Sequence, residues 1–170
     1  RPHLPAGQAH PAQQRVLAVP LDADDAGEIL TVQRAAFVGE ARIYGTVDMP
    51  ALTETLEQLH ADLHGTLGCV AVHGERIVGV ARARASGDVL LIGRIAIAPD
   101  QQGEGIGSML LAALEERGRT AGCTEAELFT GSLSEANLRL YEREGYRESE
   151  RVPGEGSDQV TGICRAVEEL

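Results

Sequence analysis

The chain has 170 residues, 43% of them hydrophobic, and a formal net charge of −11. That length and apolar content suffice for one domain with a buried core, and the charge argues against nucleic acid or an anionic membrane as a partner. No apolar run approaches the ~20 residues of a membrane span.

Residues 1–14 are rich in Pro, Ala, Gln and His without periodicity and read as a flexible tail, ahead of a single domain over 15–170. They contain no apolar h-region, so no secretory signal is expected. A short strand over 15–19 leads into a helix opened by Asp22, Asp24 and Asp25, carboxylates that suit a helix N-terminus. Ile29, Val32 and Ala36 recur at helical spacing, and Gly39 is expected to end this helix. Residues 40–47 read as irregular. A second helix starts at Asp48-Met49-Pro50, with Leu52, Leu56, Leu59 and Leu63 in one stripe. His60 and His64 stand one turn apart on it, but H-E-x-x-H is absent and no third ligand is evident, so no metal site is expected.

From Thr66 the period changes. Strands over 68–72, 76–84 and 89–98, joined by turns at 73–75 and 86–88, make an antiparallel meander. Arg82 and Arg84 alternate with small residues and give one polar face. A helix follows with Ile106, Leu110, Ala113 and Leu114 on one face, stopped by Gly122. Next come a strand over 125–130, a helix from near Ser134, a good N-cap, to Gly145, and strands over 146–152 and 159–167 around a loop at 153–157. Strand, helix, strand across 89–130 implies a parallel pair joined by a right-handed crossover. Cys69, Cys123 and Cys164 form neither an even framework nor a C-x-x-C pair, and reduced thiols of a cytoplasmic protein are expected.

The stretch 95–111, IAIAPDQQGEGIGSMLL, carries the chemistry. A buried strand breaks at Pro99, a tight polar loop follows, and a helix begins. The first N–H groups of a helix lack internal partners and sit at the positive end of its dipole, so the loop is suited to phosphate. The G-x-G-x-x-G dinucleotide pattern fails, because Ser108 or Leu110 stands where the third glycine would be. A P-loop is excluded because the chain contains no lysine. What is present is Q-x-x-G-x-G, Gln102 to Gly107.

This motif, with its flanking strand and helix, resembles the pyrophosphate-binding signature of the GNAT superfamily of N-acetyltransferases. Asn137-Leu138-Arg139-Leu140-Tyr141-Glu142-Arg143-Glu144-Gly145-Tyr146 resembles the family's N-x-x-x-x-Y-x-x-x-G-F region, with the Asn-to-Tyr spacing one shorter than some members show and Tyr146 in place of the more usual Phe. The element order also matches the family. The resemblance implies an α+β (α/β) acyl-CoA N-acyltransferase fold: a mixed, mostly antiparallel sheet of about seven strands with about four helices. It implies acetyl-CoA as co-substrate, a primary amine of a small molecule or peptide as acceptor, and direct attack in a ternary complex. A homodimer through the C-terminal strands is common in the family.

Carried over residue by residue, the resemblance assigns the pantetheine arm to the backbone of Ile95, Ala96 and Ile97. It assigns the pyrophosphate to Gln102, Gly103, Glu104, Gly105, Ile106 and Gly107, with the Ser108 hydroxyl close by. Asn137 touches the CoA arm and Tyr141 points at the thioester sulfur. A tyrosine with a pKa of ~10 is protonated at neutral pH and can protonate the departing thiolate, so Tyr141 is the general-acid candidate. A strand N–H, best at Ile97, suits the oxyanion. Glu40, Glu54 and Glu127 are candidate bases, and Glu40 is preferred because it and Tyr44 lie in the segment that lines the acceptor site in this family. Arg94, Arg117, Arg119 and Arg139 are the cations in the right neighbourhoods. For Arg94, ordering the site, meeting an acceptor carboxylate and making a salt bridge all stay open. A non-catalytic acyl-CoA-binding regulatory module, or transfer from another acyl-CoA, are the alternatives.

Overall fold

The computed structural model describes residues 15–131, 133–153 and 159–166. The expected tail, most of the loop at 153–157 and the end of the last strand lie outside the described residues, as does the Cys164 side chain. Seven strands, β1 (Val16–Pro20), β2 (Leu67–His73), β3 (Arg76–Ser86), β4 (Val89–Ile97), β5 (Glu125–Gly131), β6 (Arg147–Pro153) and β7 (Gln159–Ala166), form one sheet in the order β1-β2-β3-β4-β5-β7-β6. Every neighbouring pair is antiparallel except β4 and β5. The mixed, mostly antiparallel sheet matches the expectation, and strand ends fall within two residues of those read from the sequence.

The helices are α1 (Ala26–Tyr44), α2 (Pro50–Thr53), α3 (Leu56–Leu63), α4 (Ile106–Thr120) and α5 (Glu135–Arg143). α1 and α4 cover opposite faces of the sheet. On β3, a Cβ at Gly79 would press on Ile106 and Leu110 of α4, whereas Arg82, on the other face, reaches Gln33 of α1. Between them lie Ile29, Leu90, Leu110, Leu114 and Leu128, all essentially without solvent contact. Cys69 and Cys123 are buried free thiols in this core, and burial pushes the Cys69 thiol pKa up.

Two helix expectations are corrected. Gly39 does not end α1, and the stretch 40–47 is not wholly irregular: the helix runs on to Tyr44 and stops at Gly45, whose φ of 69° is left-handed. An exposed glycine inside a helix costs about 1 kcal/mol relative to alanine, and the buried Ile29, Leu30, Val32 and Gln33 face outweighs that. The expected second helix is broken. Glu54 is extended at ψ 129°, and Thr55 begins α3 with a capping box: Gln58 N–H donates to the Thr55 hydroxyl while Thr55 N–H donates to the Gln58 side chain. The single leucine stripe therefore does not form, and Leu56 is half exposed. Both corrections matter for the site, because they place Glu40, Tyr44 and Glu54.

Candidate active site

β4 and β5 are hydrogen-bonded only over their first halves. Their pairing runs from Val89 opposite Glu125 to Ile92 opposite Leu128 and then stops, although β4 continues to Ile97 and β5 to Gly131. β4 pairs with β3 from Val89 to Ile97, and beyond Ile92 that is its one strand partner, with Ile95 opposite Ala81 and Ile97 opposite Gly79. The register slips there, so Gly93 and Arg94 together face Arg82, a bulge that bends β4 away from β5. Ala98 N–H donates to Val78 O. The alternation of an antiparallel ladder then turns Ala96 toward β3 and turns the N–H and C=O groups of Ile95 and Ile97 toward the gap. The Ala96 side chain is in the core.

The glycine loop closes one end of this gap. A single 3-10 turn over Pro99–Gln101 leads into it. Asp100 and Arg76 pair through two contacts of 2.8 Å, and the Arg76 guanidinium holds the Asp100 carboxyl at about 2. The Gln102 amide donates to Ile97 O at 3.3 Å, tying the loop back to β4. Gly103 and Gly105 both have φ 79°, and a Cβ at either would meet nothing within 4 Å. Backbone conformation and an open approach therefore call for glycine there. α4 starts at Ile106, and Met109 N–H is bonded to Gly105 O, leaving the N–H groups of Ile106, Gly107 and Ser108 at the uncapped end of the helix. The Ile106 side chain is core, and Ser108 is half buried. Gly107 has a different reason to be glycine: a Cβ would come within 2.9 Å of Leu140 on α5. It sets the approach of the helix that carries Tyr141.

Beyond the gap opens a cleft of about 890 Å³, walled by β3, β4 and β5 on one side and by α1, α3 and α5 on the others. Tyr141 lines it yet is only 5% exposed. Burial, and then the negative charge of Glu40, push its hydroxyl up to about 12. Its ring stands edge-to-face on Tyr146. Tyr146, at the family's usual phenylalanine position, donates its buried hydroxyl to Glu115 at 2.9 Å.

Glu40 is held from α5. The Ser134 hydroxyl donates to it at 2.7 Å, and the Asn137 amide approaches at 3.5 Å. With its proton on Glu40, Ser134 accepts from the Tyr44 hydroxyl at 2.8 Å, and Tyr44 in turn accepts from Leu133 N–H. Ser134 stands at the N-cap position of α5 as expected, but it makes no side-chain cap, because its hydroxyl is committed to Glu40. Sequence reading had no signal for the Tyr44–Ser134 contact, which spans ninety positions.

A second polar cluster lies across the cleft. Glu54 sits between Arg82 (3.0 Å) and Arg94 (3.4 Å), and Asp62 sits between Arg82 and Arg84 (3.1 Å each). Gln33, fully buried, donates to Glu54 and to Ala51 O and accepts from Arg82. Burial alone would raise the Glu54 carboxyl, but hydrogen bonds from Gln33 and Arg82 and the charges of Arg82 and Arg94 hold it below its ordinary value. Glu54 is thus committed to arginine. Glu127 pairs with Leu91 and Cys164 within the sheet and does not line the cleft. Of the three carboxylates considered as base, Glu40 is the one beside Tyr141. Arg119 pairs with Glu116 and Arg139 with Glu135 on their own helices, and Arg117 stands about 16 Å along α4 from the loop. The extended backbone at Glu54 had a sequence signal in Thr55-x-x-Gln58. Among the described residues no group of three or more His, Cys, Asp or Glu side chains is arranged to hold a metal, and no helix is long and apolar enough to cross a membrane.

Comparison with known proteins gives a match to the acetyltransferase (GNAT) family over residues 34–146. The fold is shared with the ribosomal-protein-S18-alanine N-acetyltransferase of Escherichia coli (TM-score 0.74, 17% identity, 90% of this chain and 94% of that one). It is shared also with the PaiA N-acetyltransferase of Thermoplasma acidophilum in complex with coenzyme A (0.71, 17%, 87% and 98%). YncA of Salmonella typhimurium, solved with its cofactor acetyl-CoA, is similar too (0.72, 17%, 92% and 96%). Among curated proteins, the UPF0157 protein YqkA of Bacillus subtilis (strain 168) is 29% identical over 131 residues, 77% of this chain, and the match spans 37% of that relative's length.

Proposed function

Because the chain belongs to the GNAT acetyltransferase family, we propose that residues 15–170 act as one domain that transfers the acetyl group of acetyl-CoA to a primary amine of a small molecule or peptide by direct attack in a ternary complex. The observation that carries this reading is the parting of β4 from β5 after Ile92 and Leu128. The gap exposes the polar backbone of Ile95 and Ile97, has the helix-initiating loop at one end, and opens onto the cleft at Tyr141. Two relatives of this fold were solved with coenzyme A or acetyl-CoA, which supports the same ligand here.

In this reading the pantetheine arm lies along Ile95 and Ile97. The diphosphate meets the N–H groups of Gly105, Ile106, Gly107 and Ser108. Gln102 orders that loop rather than touching the ligand. The amine nitrogen bonds to the thioester carbon, the C–S bond breaks, the amine loses one proton and the thiolate gains one. The Ile97 N–H faces the gap and suits the oxyanion. Tyr141, held at about 12, stays neutral and offers its O–H to the sulfur. The hydroxyl first stabilises the departing thiolate by a charge-assisted hydrogen bond; the proton the sulfur gains passes along that bond while the tyrosine takes one back from water. Glu40, oriented by Ser134, accepts the ammonium proton directly or through water. The buried, reduced thiols of Cys69 and Cys123 suit a cytoplasmic setting.

The test is calorimetric titration of acetyl-CoA into wild type and Gly105→Asn. Asparagine tolerates left-handed backbone, and its side chain enters space that no protein atom fills, so the fold is kept while the phosphate approach is blocked. Binding to wild type and loss in the variant is the expected result. No binding of acetyl-CoA or any other acyl-CoA to wild type refutes the reading, and binding without thiol release in an amine screen refutes the catalytic part.

A further inference from the structure

The charges along the cleft are ordered in a way that acyl transfer to a simple amine does not require. Arg94, Glu54, Arg82, Asp62 and Arg84 alternate in sign along one wall, three cations to two anions. That wall carries a positive surplus in a chain whose net charge is −11.

The surplus is localised at Arg94. Arg82 spends both terminal nitrogens, each on two acceptors, and is 5% exposed. Arg84 is largely in solvent, its side chain 63% exposed. Arg94 is 28% exposed and has one contact among the described residues, through a single terminal nitrogen to Glu54 at 3.4 Å. Its remaining N–H groups have no protein acceptor among those residues, and it lines the cleft. Burial makes its charge costly, and the like charge of Arg82 adds to that cost against the partial relief of Glu54 and Asp62. A guanidinium keeps its proton regardless and presents a planar fork matched to a carboxylate.

The bulge is what brings Arg94 here. Gly93 and Arg94 share one partner, Arg82, and the extra residue turns Arg94 to the face where Arg82 and Glu54 stand. The same irregularity that parts β4 from β5 thus presents a cation beside the parted strands. On the cleft's other wall is the opposite pole: Glu40, fixed by Ser134 and Asn137. The two poles have different partners: Arg94, on β4, meets Glu54, whereas Glu40, on α1, meets Ser134 and Asn137.

We propose that the acceptor is a small amine that also carries a free carboxylate, bound with the carboxylate on Arg94 and the amine on the Glu40 side beside Tyr141. This inference rests on the transferase reading above. Acetylation converts the ammonium to a neutral amide and leaves the carboxylate. The product therefore loses its attraction to Glu40 while keeping that to Arg94, so product is held more weakly than substrate.

The experiment uses the whole chain with acetyl-CoA, a free-thiol readout, and acceptors matched in pairs. The proteinogenic amino acids and a series of ω-amino acids of increasing length are each set against the corresponding carboxamide. For the acceptor that reacts best, kcat/KM should exceed that of its carboxamide by about 10- to 100-fold, the worth of a hydrogen bond to a charged group. Arg94→Gln should bring that ratio close to one, and Arg94→Lys, which keeps the charge but not the fork, should restore part of it. Carboxamides reacting as well as acids in wild type overturns the proposal, as does the absence of any reaction with a carboxylate-bearing amine in protein that binds acetyl-CoA. The wild-type comparison stands even where Arg94→Gln fails to fold. Failure of wild type to bind any acyl-CoA would instead overturn the transferase reading, and this inference with it.

Discussion

Gly131→Ala tests whether α1 and α5 are coupled as the site requires. Gly131 ends β5, and a Cβ there would overlap the hydroxyl and ring of Tyr44. Its backbone is not left-handed, so the cost of the substitution is steric and falls on Tyr44. If the ring is displaced, two hydrogen bonds go, one from Leu133 N–H at 3.1 Å and one to Ser134 at 2.8 Å. At about 1 kcal/mol each, the loss is about 2 kcal/mol, which for a domain of this size lowers Tm by roughly 4–8 °C. Tyr44→Leu removes the obstacle, so in that background Gly131→Ala should cost less than about 0.5 kcal/mol, the usual error of additivity. Urea unfolding of the wild type, both single variants and the double variant closes the cycle. A coupling of roughly 1.5–2 kcal/mol is expected, from the two hydrogen bonds counted once. Additive costs would refute the account of Gly131 as the position that makes room for Tyr44. Turnover of Gly131→Ala should also fall, because Ser134, which orients Glu40, loses its own partner.

Tyr141→Phe should lower kcat by about 10²- to 10⁴-fold, the range for a positioned proton donor, while acetyl-CoA affinity by calorimetry stays near wild type; unchanged turnover removes Tyr141 from the acid role. The same residue predicts an alkaline instability. Its folded pKa of about 12 lies above the unfolded value of about 10, so its contribution is fully present below pH 10 and is lost as pH rises through 12. In urea melts, wild type should lose up to about 2–3 kcal/mol more than Tyr141→Phe across that interval; parallel curves for the two proteins contradict it. Tyr146→Phe keeps the ring but removes one hydrogen bond to buried Glu115, and should cost about 1 kcal/mol by chemical denaturation. A neutral result would mean that Glu115 is satisfied without Tyr146.

The sequence by itself determined the order of strands and helices, the parallel β4–β5 pair and the start of α4. These are local properties. Short runs rich in β-branched and small residues between glycine turns read as strands, the central ones buried on both faces, and a strand–loop–helix of this length closes as a right-handed crossover. Gly103 and Gly105 were legible because the conformation that demands them is encoded in the loop itself. Gly39 and the leucines from Leu52 to Leu63 misled for a related reason. Local propensity is worth about 1 kcal/mol at most at such a position, and packing of α1 and a capping box at Thr55 outweighed it.

Only the tertiary structure decided what the charged and hydroxyl side chains do. Glu40 and Glu54 read alike in the sequence. The fold sends Glu40 to Ser134 beside Tyr141 and Glu54 into a cage of Gln33, Arg82 and Arg94. Gly107 looked like its loop neighbours, yet its constraint is Leu140, a residue of the next helix. These contacts join positions 21 to 94 apart in the chain. Their energies depend on distance and burial, which no spacing rule carries, because they are set where the bulge at Gly93 and Arg94 bends β4 and opens the cleft.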